Sequence, residues 1–152
     1  MKLLRNNGQI AVQGVLLGLR ESQDLYTEVI QHTNNNELRK FANTMRGFRA
    51  AQCARVSAFI RLLDDLPSVP DRDSEQCRLF VANAKWQLSS HPLHQQIESL
   101  KAAEVKIKAQ LQEDAWPAND KVAELLKKRI FTSCDDAIKN LNAIAKKHLD
   151  GE

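Results

Sequence analysis

Apolar residues recur along this chain in steps of three and four, which divide it into four long helical stripes and a short one. The first stripe, Val12, Val15, Leu16, Leu19, Tyr26, Val29 and Ile30, predicts a helix over Gln9 to His32. Asn34-Asn35-Asn36 then reads as a turn in which an asparagine can cap the next helix. The second stripe, Leu38, Phe41, Met45, Phe48, Val56, Phe59 and Leu63, continues to about Asp65, so these two helices form an antiparallel hairpin. Pro67 and Pro70 end it and set a linker over 66–73. A short helix over 74–89 follows, apolar at Cys77, Phe80, Val81, Ala84 and Leu88, with Leu79 and Trp86 on its other side. His91-Pro92 breaks the chain before a stripe of Leu93, Ile97, Leu100, Ile107 and Leu111 that carries a helix to about Ala115. Trp116-Pro117 makes the last turn, with Pro117 suited to a first helical position. The closing stripe, Val122, Leu126, Ile130, Ala137, Leu141 and Ile144, extends to about Leu149, where Lys146, Lys147 and His148 suit a helix C-terminus.

No strand-like alternation interrupts this pattern. Two hairpins joined by a long crossover with its own helix describe an all-α, ferritin-like four-helix bundle, one domain over 1–152. A plain up-down-up-down bundle would need no such connection. The short helix is expected to pack on the bundle through Phe80, Val81, Ala84 and Leu88.

One position breaks the third long stripe. Glu104 falls where the pattern calls for an apolar residue, between Leu100 and Ile107. A buried carboxylate has to be paired, hydrogen-bonded, protonated or metal-bound, because burying an isolated charge is too costly. Other helices also carry inward polar residues near their midpoints: Ser22 and Gln23, then Gln52 and Arg55, then Ser133 and Cys134. They predict a buried polar layer of Gln23, Gln52, Arg55, Glu104 and Cys134. One reading pairs Arg55 with Glu104, Gln52 or Gln23 completing the hydrogen bonds. The other lets Arg55 snorkel out at the bundle edge while Glu104 finds water.

A two-iron site in such a bundle takes one glutamate from each of two helices and a Glu-x-x-His from each of the other two. Residues three apart point the same way, toward one metal pair. The second helix offers Gln52-x-x-Arg55 instead, and arginine stays protonated and repels a metal. Glu21 and Glu28 turn toward the flank of the first helix, and Asp135 points away from the centre. The remaining metal candidates are Glu21, Glu104 and Asp135, which would need a histidine brought to them. His32 and His148 sit near helix ends, and His91 and His94 flank a proline break. No base lies beside Cys134 or Ser133 to make either a nucleophile, and no glycine-rich phosphate loop is present.

Bulk properties narrow the function classes further. The 152 residues carry 22 basic and 19 acidic side chains, a formal charge of +3, in interspersed order. That describes a solvated surface rather than a nucleic-acid footprint. Lys127, Lys128 and Arg129 are the best phosphate-contact candidates, against the simpler reading of a solvated helix face. Three widely spaced cysteines, Cys53, Cys77 and Cys134, suit a reducing compartment. Lys2 and Arg5 precede a modestly apolar run, but Gln13 and two glycines interrupt it and Arg20-Glu21 follows, a poor signal peptide and too short a membrane span. A cytoplasmic location is expected, with neither membrane nor nucleic acid as partner.

The local patterns resemble a small bacterial ferritin-like family of uncharacterised function, discussed alongside stress-related ferritin-like proteins. Leu19-Arg20-Glu21 through Tyr26 and Glu28, then Asn36-Glu37-Leu38-Arg39-Lys40-Phe41, is similar to its opening helices. Leu111-Gln112-Glu113-Asp114 with Pro117, then Asp135-Asp136-Ala137-Ile138 with Leu141, resembles its closing pair. The likeness covers about Leu16 to Leu149. It departs where a glycine-rich patch of the first helix reads Ser22 and Leu25, and where a histidine-aspartate pair of the last reads Asp135-Asp136.

The function expected is therefore non-catalytic: a structural or protein-interaction module without cofactor, as a homodimer or with a protein partner. The alternative is an iron- or manganese-binding oxidase or storage protein with a degenerate di-iron site. Trp86, Leu79 and Trp116 could anchor a partner. The simpler and preferred reading has the two tryptophans pin the crossover helix and the last turn to the core.

Overall fold

The computed structural model describes residues 5–69 and 71–149; Lys2 and Pro70, used in the reading above, lie outside them. Five helices are found in that range: α1 (Asn7–His32), α2 (Asn36–Leu62), α3 (Arg72–Leu88), α4 (Pro92–Leu111) and α5 (Lys121–Leu149). Their starts follow local chemistry. Asn6 Oδ1 accepts from the Gln9 amide at 2.8 Å while Gln9 Oε1 accepts from the Asn6 amide at 2.9 Å, a reciprocal capping box. Asn35 caps α2 at 2.9 Å, Asp71 caps α3 at 3.2 Å, and Pro92 opens α4. Pro117 does not open α5. Asp120 does, its carboxylate accepting from the Val122 and Ala123 amides at 2.8 and 3.1 Å, so the loop is longer than expected. Correspondingly, α4 stops at Leu111 rather than near Ala115.

The buried residues give the directions of packing. The start of α1 (Val12 to Leu19) shares one apolar cluster with the ends of α2 (Val56 to Ile60) and α4 (Ile107, Leu111) and with the start of α5 (Ala123, Ile130). The end of α1 (Tyr26, Val29) shares a second with the starts of α2 and α4 and the end of α5. Hence α1 and α5 run one way, α2 and α4 the other. Side by side, α1 lies against α2 and α4, and α5 against α4 and α2; α2 and α4 make no close approach. Because α2 and α4 are parallel, the chain must return along the whole assembly between them, and α3 is that return. Gly18 marks the tightest α1–α4 approach: a Cβ there would stand 2.4 Å from Gln110 Oε1 and 3.3 Å from Ile107 Cγ1.

Polar residues inside the first half of α1 serve the segment after α2. The end of α2 turns through Asp64, whose φ of 58° is left-handed and tolerated by aspartate. Gln9 Nε2 donates to the Leu63 carbonyl at 2.7 Å and Gln13 Nε2 to that of Leu66 at 2.6 Å. Gln13 Oε1 accepts from the Ser68 amide at 2.9 Å, and Arg20 donates to the Ser68 carbonyl. Backbone groups that leave helix geometry need such partners when covered.

The crossover helix docks differently from its expected face. It rests on α1 and α4 through Leu79, Ala82, Asn83 and Trp86, of which Trp86 is fully buried and donates from Nε1 to Ser99 Oγ at 3.1 Å. Phe80, Val81 and Leu88 are 72, 59 and 88 % exposed, so that face points to solvent. The physical reason is size: one tryptophan with a hydrogen-bond partner fills the α1–α4 groove that several smaller side chains would share. Trp86→Ala should cost about 3–5 kcal/mol of unfolding free energy. Phe80→Ala should stay within ~0.5 kcal/mol in the same denaturation experiment on the dilute chain, where no association contributes.

Along that seam Asp24 on α1 hydrogen-bonds Glu75 on α3, and Arg78 bridges Glu75 and Glu21, the latter at 2.9 Å. Burial, then the neighbouring Glu75, pushes the Asp24 carboxyl up to about 6 from its usual 3.8, with Arg78 and Arg20 pulling the other way. Between those two values the folded chain holds more protons than the unfolded one, so this group makes stability fall as pH rises through the interval. Asp24→Asn should therefore raise the melting temperature at neutral pH and flatten its decline from acid to neutral. A melting series across that range with no difference from the parent would remove the carboxyl pair from the account.

Candidate functional site

The polar layer lies between the two apolar clusters. On α2, the positions that face inward step from Leu38 through Ala42, Met45, Arg49, Gln52 and Val56 to Phe59, at intervals of four and three. Arg49 therefore occupies a core position, and it is fully buried, as is Glu104 on α4. Arg55, expected here, is exposed; its place is taken by Arg49, because the inward face runs through Met45 and Arg49 rather than Phe48 and Arg55. Phe48 is likewise largely outside.

Glu104 is held by two other helices, α1 and α2. Its Oε2 meets Arg49 Nη2 in an ion pair, while Oε1 accepts from Tyr26 Oη at 2.8 Å and lies 3.4 Å from Ser22 Oγ on α1. Arg49 Nη1 donates to Gln52 Oε1 and to Ser133 Oγ on α5, the latter at 3.0 Å. Gln52 Nε2 donates to the same Ser133 Oγ at 3.0 Å, and that hydroxyl donates in turn to the Ile130 carbonyl at 2.6 Å. Arg49 Nη2 also lies 3.6 Å from Cys134 Sγ, and Arg49 Nε has no partner. Small residues make this possible: Ser22, Ser133 and Cys134 leave the centre open for a guanidinium.

Of the other expected layer members, Gln52 and Cys134 are in place. Gln23 stands at the margin, its Oε1 3.8 Å from Cys53 Sγ, and does not reach Glu104. Glu21 pairs with Lys106 and Arg78 on the flank, both at 2.9 Å, and Asp135 pairs with Lys108 at 2.5 Å. The three metal candidates are thus not brought together, and among the described residues no three His, Cys, Asp or Glu side chains are grouped to hold a metal. The donor set does not fit a di-iron centre: its one inward carboxylate is already matched by a guanidinium, a positive charge where a cation would have to sit.

The titratable groups around the pair are held in their neutral forms. Burial, then the charge of Glu104, raises the Tyr26 phenol well above its usual value. Burial and Glu104 push the Cys134 thiol up to about 12, and burial raises Cys53, so neither is a thiolate at neutral pH. His32 pairs with Glu28 at 3.1 Å and His148 with Glu37 at 2.5 Å, both far from the layer. The layer contains no free base, nucleophile or open coordination position. What it does is join helices.

No protein-family model matches the chain, and neither a curated protein nor a solved structure matches it. Among the described residues no helix is long and apolar enough to cross a membrane.

Removing either partner of a buried pair strands a charge, so Arg49→Met and Glu104→Leu should each cost about 3–5 kcal/mol. The double variant should recover much of that, and the non-additivity is the readout of a double-mutant cycle. Arg55→Ala, by contrast, should change stability by less than ~0.5 kcal/mol.

Proposed function

We propose that this chain is a non-catalytic four-helix bundle of ferritin-like pairing that works as an interaction module, associating with a second copy of itself through α3. The parallel α2 and α4 with a long return between them support the ferritin-like arrangement. A buried layer closed by an ion pair supports a structural rather than a chemical centre. The observation that carries the interaction reading is the outward face of α3.

That face is a second apolar stripe. Cys77, Phe80, Val81, Ala84 and Leu88 recur at helical spacing, and the three largest are mostly exposed although Leu79 and Trp86 already dock the helix. The stripe is complementary to itself in antiparallel alignment. Paired about the point between Ala82 and Asn83, Leu88 of one copy faces Cys77 of the other, Val81 faces Ala84, and Phe80 meets the methylene stem of Lys85. In the first two pairs a large side chain meets a small one. The same alignment sets the N-terminus of each helix, with Asp73 and Glu75 in its first turn, toward the C-terminal end of the other.

Sedimentation across a concentration series should show a monomer–dimer equilibrium, abolished by Phe80→Glu. Leu88→Cys should yield a covalent dimer on mild oxidation, through Cys77 of the other copy. Cys77 is the exposed one of the three cysteines, and two copies of it would lie about 16 Å apart in this register, so the parent should not cross-link. A monomer at every concentration, or ready Cys77–Cys77 bonding in the parent, would overturn the proposal.

A further inference from the structure

On the opposite side of the molecule from α3, the facing surfaces of α2 and α5 leave a groove of about 470 Å³. Its walls are Phe48 on α2 with Leu125 and Ile130 on α5, and its rim carries Arg55, Lys128 and Arg129. Phe48 and Leu125 keep nearly half of their surface exposed. None of the three cations forms an ion pair with a described residue, and Asp136 is the one acidic side chain along the groove. The floor is Gln52 and Ser133, whose polar atoms are engaged with Arg49 and with each other. Recognition of a charged ligand therefore falls to the rim, and Phe48 and Leu125 supply the exposed hydrocarbon below it, Ile130 being buried behind them.

We propose that this groove binds a small anionic amphiphile, with a carboxylate or phosphate-monoester head at Arg55 and Arg129 and a hydrocarbon body along Phe48 and Leu125. Three arguments support that occupant. The rim is net positive and guanidinium groups present forked donors that match carboxylate and phosphate oxygens. The volume falls in the range of small-molecule sites, which combine apolar walls with a few polar groups. The separation of Phe48 from Arg55 along α2 is about 10 Å, the reach of a medium-length chain rather than of a protein helix. The basic tract at Lys127, Lys128 and Arg129 then has a use: Lys128 and Arg129 face the groove, while half-buried Lys127 does not. This site is independent of self-association through α3.

Phe48→Trp places a solvent-facing fluorophore on the groove wall, whereas Trp86 and Trp116 are buried. Titration with decanoate should shift its emission saturably, and calorimetry on the parent chain should give one site. Decyl phosphate in a parallel titration distinguishes a phosphate from a carboxylate head, the tighter of the two identifying it. Decanol and decyltrimethylammonium should bind at least about tenfold more weakly than the better anion. Arg55→Gln and Arg129→Gln, both at exposed positions that leave the helices intact by circular dichroism, should each weaken it by about tenfold. Phe80→Ala on α3 should leave it unchanged. Equal binding of decanol, indifference to both arginine substitutions, or the failure of both decanoate and decyl phosphate to bind, with or without retention on heparin, would overturn the proposal.

Discussion

Arg49 and Glu104 meet across the diagonal of the molecule, between two helices that do not otherwise approach each other. Only a long side chain can span that centre, and only one that is paired and hydrogen-bonded can remain charged there. The consequences spread outward. Cys134 and Ser133 on α5 and Ser22 on α1 must be small, Tyr26 must point its hydroxyl inward, and Gln52 must cap the guanidinium. Each of the four long helices thus gives at least one group to the same layer. An apolar layer of equal volume would hold the helices as firmly, since desolvation offsets much of what a buried pair gains. What the pair adds is register: sliding α2 or α4 by one turn, about 5.4 Å, would leave two charges stranded between apolar clusters.

Much of this was legible in the sequence, and the failures have specific causes. The four long stripes locate α1, α2, α4 and α5, since spacing alone sets which face is buried. Glu104 was legible as a charge in a core position because Leu100 and Ile107 flank it in register. Arg49 stands in the same relation to Met45, Gln52 and Val56, but Phe48 beside it is apolar and draws the stripe one position away. The misreading is thus a phase error of one residue, about 100° around the helix, and it exchanged Arg49 for Arg55. Tyr26 gave a weaker signal: a buried tyrosine needs a partner for its hydroxyl, though sequence alone does not say where. Loop lengths were the least legible, since Pro117 could start a helix and Asp120 could cap one, and the fold used the second.

The same phase error points to a property of α2. Two apolar rows run along it, one through Leu38, Met45 and Val56 into the core and one through Phe48 toward the gap with α5. Gln52 belongs to both, and its side chain ties the floor of that gap to the buried pair. The α2–α5 contact is the least extensive of those between the long helices, which is why surface remains there. A helix that served only the core would place charge or short polar groups at positions such as Phe48.

α3 presents the parallel case, and its length argues the point. The return from the end of α2 to the start of α4 could be made by an extended strand of chain, since each residue then spans up to about 3.3–3.6 Å. Instead the chain uses a 17-residue helix, which covers about 26 Å. Its docking face is complete with Leu79, Ala82 and Trp86, and Trp86 is its one fully buried side chain. Folding therefore gives no account of a second stripe with Phe80, Val81 and Leu88 in water. Exposed apolar rows raise the risk of non-specific association and lower solubility, so an apolar row with no docking role is best explained by a surface that buries it. The proposed self-association would bury that row against the identical face of another copy, the symmetry of a two-fold interface.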